Sequence, residues 1–168
     1  NAFGLIPYDT VLRAQPYDTV STQKIWAGDL VKMGAAGTVT LVNDTTDTSV
    51  VGVAAQTVAS SSASAKILVY DHPDQLFVIQ DDSDTTNMAA TNIGNNVSVI
   101  NFTGNDDRDR SILEADSSTA ATTATLMLKV VRLHPVEADS YASASGAWRK
   151  WVVQINPQRH FYATGTAI

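Results

Sequence analysis

Lys66-Ile67-Leu68-Val69-Tyr70-Asp71-His72-Pro73-Asp74-Gln75-Leu76-Phe77-Val78-Ile79-Gln80 is the stretch whose reading decides the fold. Two apolar runs, 67–70 and 76–79, are β-branched, aliphatic or aromatic, and Asp71-His72-Pro73-Asp74 separates them. Proline presets φ for a turn and aspartate bonds its own backbone, so the stretch predicts a β-hairpin. The same plan fills the chain on either side. Leu30-Val31-Lys32-Met33 follows Gly28-Asp29, Gly34-Ala35-Ala36-Gly37 turns into 38–42, and Val50-Val51-Gly52-Val53-Ala54 comes after a polar loop. Further strands are expected at Ile25-Trp26, 97–100, 111–113, 126–133 and 148–155, with one helical turn in 88–95 stopped by Gly94. Many short strands with turn signals between them predict an all-β fold, an antiparallel β-barrel or sandwich.

Composition supports this reading. Only 17% of the 168 residues are charged, against roughly 25% in an ordinary domain. Thr, Ser, Ala, Val, Asn and Asp fill the difference, a mixture short on strong helix formers. The formal charge is −6. A net-acidic chain without a basic stripe is expected to bind no nucleic acid and no anionic membrane. No apolar run approaches the ~20 residues of a membrane span, and no basic-then-apolar leader is present, so a soluble protein is expected. Cysteine is absent, which removes disulfides, thiol nucleophiles and thiolate metal sites.

Residues 1–22 differ from the remainder. Pro7-Tyr8-Asp9-Thr10-Val11 recurs as Pro16-Tyr17-Asp18-Thr19-Val20. Each proline biases its predecessor toward extended backbone, so this segment is expected to run as an arm, with 23–168 as a single β domain. The arm carries Phe3, Leu5, Ile6, Tyr8, Val11, Leu12 and Tyr17, too many apolar side chains for a solvated tail. They must rest on the chain's own barrel, on a sister subunit or on another protein. The runs 76–79 and 126–133 are apolar on both faces, whereas antiparallel strands usually alternate. Oligomerisation would supply a second cover, and so would the arm or a second sheet.

No catalytic constellation emerges. His72, His134 and His160 show no ligand spacing, and no nucleophile, base and orienter can be grouped. Asp81-Asp82-Ser83-Asp84 and Asp106-Asp107-Arg108-Asp109 resemble loose calcium loops but lack the sixth-position glycine and twelfth-position glutamate of an EF-hand. Both read as solvated loop tips, so neither metal nor other cofactor is expected, and no enzyme. Trp148 and Trp151 stand three apart, which on a strand places them on opposite faces, one in the core and one free to anchor a contact.

Gly28-Asp29-Leu30-Val31, Val50-Val51-Gly52-Val53, the run from Val69 through Asp71-His72-Pro73-Asp74 to Gln80, and Asn92-Ile93-Gly94 together resemble the head decoration (cement) proteins of tailed bacteriophages. Leu128-Lys129-Val130-Val131-Arg132-Leu133, Trp151-Val152-Val153-Gln154-Ile155-Asn156 and the closing Gly165-Thr166-Ala167-Ile168 add to the likeness. The resemblance implies a homotrimer on the outer surface of the virion capsid, bound where major capsid protein subunits meet. It also implies an extended N-terminal arm lying on the capsid. Phe3, Leu5, Ile6, Tyr8, Leu12 and Tyr17 are the expected capsid contacts, chosen on their apolar character alone, and Trp148 is the expected subunit contact. On this reading, deleting residues 1–20 leaves a folded trimer that no longer binds heads. The rival expectation is a carbohydrate- or receptor-binding β-sandwich, such as a head fibre or adhesin module.

Overall fold

The computed structural model describes residues 2–20, 23–60, 65–82, 84, 86–102, 104, 106–135 and 148–164; the closing 165–168 lies outside them. In chain order the strands are β1 (Ile6–Pro7), β2 (Gln15–Asp18), β3 (Leu30–Met33), β4 (Val39–Leu41), β5 (Val50–Ala54) and β6 (Lys66–Tyr70). They continue as β7 (Leu76–Gln80), β8 (Asn96–Ile100), β9 (Glu114–Ala121), β10 (Leu128–Leu133) and β11 (Lys150–Ile155), before one short helix, α1 (Phe161–Thr164). They form two antiparallel sheets, ordered β1-β7-β11-β10-β8-β9 and β2-β6-β5-β3-β4. The arrangement is sandwich-like. A single parallel bridge, Thr19 to Val39, brings the ends of the five-stranded sheet together, and another, Asp81 to Ala115, joins the segment after β7 to β9; neither closes a barrel.

The hairpin expected over 66–80 does not form. β6 belongs to the five-stranded sheet and β7 to the six-stranded one, so residues 71–75 carry the chain from one layer to the other. The turn chemistry is as expected, but it fixes a change of direction and not a partner. Both flanks of each strand are occupied by others: β2 and β5 hold β6, while β1 and β11 hold β7.

The arm supplies two of those partners. β1 pairs with β7 through Ile6–Val78 and Pro7–Phe77, and β2 pairs with β6 from Gln15–Val69 to Asp18–Lys66. Gln15 lies eight positions after Pro7, and Phe77 eight positions after Val69, so the register is the same in both sheets. Two antiparallel chains therefore cross between the layers side by side, with equal lengths of connection. Each Pro-Tyr-Asp-Thr-Val copy begins in an outer strand: Pro7 ends β1, and Pro16-Tyr17-Asp18 makes up most of β2. Proline lacks an N–H for a ladder, and both copies accordingly sit at sheet edges.

Strands that looked apolar on both faces find their covers within the chain. In β10 the partners shift between Val130 and Arg132, leaving Val131 as an extra residue. That bulge lets Leu128, Val130 and Leu133 all enter the core, while Lys129 and Arg132 stay outside. In β5 the extra residue is Val51, opposite the step from Val31 to Lys32. Val50 and Val53 then join the main core between the sheets, and Val51 and Ala54 join a second cluster with Ile25, Val31, Val39, Ile67 and Val69.

Elsewhere the strand at 25–26 reduces to isolated bridges such as Ile25 to Val58. The strand expected at 111–113 begins instead at Glu114, and the turn in 88–95 is a 3₁₀ turn at Ala90–Asn92. Trp151 is fully buried and Trp148 is 50% exposed. Trp148 precedes β11 in a left-handed conformation (φ 68°), so a kink and not strand alternation separates the two rings.

The arm also contributes to the core. Leu5 is 1% exposed within the main cluster, and its N–H donates to Gly28 O at 2.9 Å. Gly4 makes the approach feasible: its φ is 71°, and a Cβ there would stand 2.5 Å from Ser111 Cβ. Leu5→Ala is expected to lower unfolding stability by about 2–5 kcal/mol, and Gly4→Ala by about 1–3 kcal/mol, in urea titrations. Removing residues 1–20 empties the Leu5 position and bares one flank of β6 and of β7, so this truncation is expected to destabilise the fold rather than leave an intact trimer.

Candidate functional site

The arm forms a ridge with a hollow on each side. Phe3, Ile6, Pro7 and Arg110 line both hollows, while the Leu5 side chain points inward from between them. The larger hollow encloses about 740 Å³. Its floor is Phe3, Ile6, Pro7 and Val78, and its rim is Arg108, Arg110, His134 and Lys150, with Asp9 as the acidic member. Pairing of Ile6 with Val78 sets the floor. The rim comes from the 106–110 turn, the end of β10 and the start of β11, which the fold alone brings together. In a chain of net charge −6 this is a local concentration of positive charge beside exposed apolar surface.

Tyr8 is fixed at one end. Its hydroxyl accepts a hydrogen bond from Arg132 Nη2 at 2.6 Å, and the guanidinium lies 5.2 Å from the ring centroid. His134 meets the same ring edge-on at 5.7 Å. Among the residues lining this hollow, Ile6 is the exposed large apolar side chain, at 46%.

Of the six arm residues expected as contacts, Phe3, Ile6 and Tyr8 share this groove. Leu5 does not reach the surface, because the main core encloses it. Leu12 is exposed beside the 71–75 crossing, held by its N–H donating to Gln75 Oε1 at 2.8 Å. Tyr17 belongs to a polar cluster instead. Its hydroxyl donates to Asp71 Oδ2 at 2.6 Å, and the Tyr162 hydroxyl lies 2.6 Å away, positioned to donate to it. Arg13 Nε donates to Asp71 Oδ1 at 2.7 Å, and the guanidinium lies over the Tyr162 ring at 5.2 Å. Burial and the Asp71 carboxylate push the Tyr17 hydroxyl well above the usual phenol range. These residues tie the arm to the crossing and carry no reactive arrangement.

The histidines are dispersed. His72 Nδ1 accepts from Asp74 N at 3.1 Å, closing its own turn. His160 is fully buried, its Nδ1 accepts from Tyr162 N, and its Nε2 has no partner. Burial pulls its pKa down to about 4, so the imidazole is neutral at pH 7. A depressed folded-state pKa gives stability that is complete above the unfolded value of about 6.5 and is lost as pH falls through about 4. His160→Gln, which lacks the titrating ring, is expected to fall short of the parent most at pH 7, with the gap narrowing toward pH 4 in urea titrations.

No family model matches the chain, and no curated protein matches its sequence.

Proposed function

We propose that this protein is a structural component of a phage virion that binds the outer surface of the capsid and cements contacts between major capsid protein subunits. On this reading it acts as a homotrimer, without catalysis and without a cofactor. The observation that carries it is the arm ridge, where Ile6 stands exposed between hollows whose larger rim holds Arg108, Arg110 and Lys150. Such a surface suits a capsid segment with an apolar side chain next to carboxylates. The apolar part gives contact area, and the charges steer and orient the approach.

A ligand that binds only the assembled lattice stabilises it by RT ln(1 + [L]/Kd), about 2.7 kcal/mol per site at a hundredfold excess over Kd. Three linked copies raise the effective concentration of each arm once the first has docked, so each site can be weak alone. The rival glycan-binding reading asks for rings that share a plane. Phe161 and Tyr162 meet edge-on, at 72°.

The test is co-sedimentation of the purified chain with empty, expanded tailed-phage heads, using Ile6→Asp and Arg110→Glu. Both side chains are exposed, so the variants should fold. Each is expected to bind at least tenfold more weakly, and parent binding is expected to weaken as salt rises. Parent-like binding by both folded variants would remove the groove from the interface. A parent that ignores heads but binds a glycan array would favour the rival.

A further inference from the structure

A second cluster lies at the far edge of the six-stranded sheet. Asp82 and Asp84 follow β7, and Asp116 lies in β9; one carboxylate oxygen from each falls within 4.8 Å of the others. Ser117 joins them, its Oγ 2.5 Å from Asp82 Oδ1 and 3.2 Å from Asp84 Oδ1, with Thr86 O on its other side. Three carboxylates so close repel one another unless a positive charge lies between them.

Two further groups point to that charge. Ser98 is 2% exposed, and its hydroxyl has no hydrogen-bond partner. It pairs directly with Asp116 across β8 and β9, so the two side chains share a face, opposite the one where Val97, Val99 and Ala115 fill the core. Glu114, 6% exposed, lies two residues before Asp116 on the same face. Its Oε2 accepts from Asn101 Nδ2, while Oε1 has no partner. Buried oxygens without donors, on the strand face that carries Asp116, are what a bound cation satisfies.

We propose that Asp82, Asp84 and Asp116 bind a calcium ion, with the Ser98 and Glu114 oxygens along its inner side. All donors are oxygen, which selects a hard cation. Ligands about 2.4 Å from one Ca²⁺ stand no more than about 4.8 Å apart, a limit that one oxygen from each of the three carboxylates meets. The irregular loop and carboxylate-rich set suit Ca²⁺ over Mg²⁺, which demands a near-ideal octahedron and keeps its waters. The ion clamps Asp82 and Asp84 to the irregular part of β9, next to the Asp81–Ala115 bridge. This site stands apart from the arm groove and does not depend on the capsid reading.

The full chain, stripped with EDTA and dialysed, is titrated with CaCl₂ by calorimetry and melted with CaCl₂, MgCl₂ or EDTA. One Ca²⁺ per chain is expected, with Tm raised by about 5–10 °C at a hundredfold excess over Kd and Mg²⁺ at least tenfold weaker. Asp84→Asn and Asp116→Asn are expected to bind Ca²⁺ at least tenfold more weakly, yet to melt in EDTA no lower than the parent, because a repulsion has been removed. No heat and no Tm change up to about 10 mM CaCl₂, about tenfold above the weak end for calcium modules, would overturn the proposal. So would a parent-like calcium response in both variants, or a lower melt of both in EDTA, which would make these carboxylates hydrogen-bond acceptors only.

Discussion

A chain that leaves one sheet for another must satisfy its backbone polar groups in mid-passage, and here it does so with two buried side chains. Gln75, 1% exposed, donates to Thr10 O and Leu76 O and accepts from Leu12 N. Asp71, also 1% exposed, takes Arg13 and Tyr17. Each of these residues joins the crossing at 71–75 to the adjacent antiparallel passage of the arm. With the crossing held, β6 and β7 are committed to separate layers. β1 and β2 can then take the remaining flank of each in one continuous register, Leu5 drops into the core, and Ile6 is left standing on the surface.

Much of this fold could be read from residue patterns. Strands β3 to β8, β10 and β11 all coincide with runs of Val, Ile, Leu or aromatic residues bounded by turn formers. The errors share a cause, since pattern identifies a strand but not its partner. The 66–80 stretch reads as a hairpin because two of the competing partners, β1 and β2, lie far earlier in the chain, where they look like a tail. β9 was missed because Glu114-Ala115-Asp116-Ser117-Ser118-Thr119-Ala120-Ala121 has almost no β-branched residues. Its strand character comes from pairing with β8. Period-two counting also fails at Val51 and Val131, where one extra residue changes the face; at Val131 it makes a one-sided strand look two-sided.

The candidate groove divides in the same way. Its apolar half, Phe3, Ile6 and Tyr8, was legible as an excess of hydrophobic side chains in a short segment. Its basic half was not, because Arg108, Arg110, His134 and Lys150 are scattered in sequence and only the sheet order gathers them. The acidic loop at 81–84 was visible as a loop. Its partner Asp116 was hidden in the strand that the pattern missed.

The repeated Pro-Tyr-Asp-Thr-Val motif has a consequence for how such molecules behave when crowded. An unprotected outer strand offers its N–H and C=O groups to any other chain and invites open-ended stacking into fibrils. Pro7 and Pro16 interrupt that row of donors at one margin of each sheet. Many copies could then stand shoulder to shoulder at high local density without zipping together through their backbones. Association is left to side-chain surfaces, where sequence can choose the neighbour.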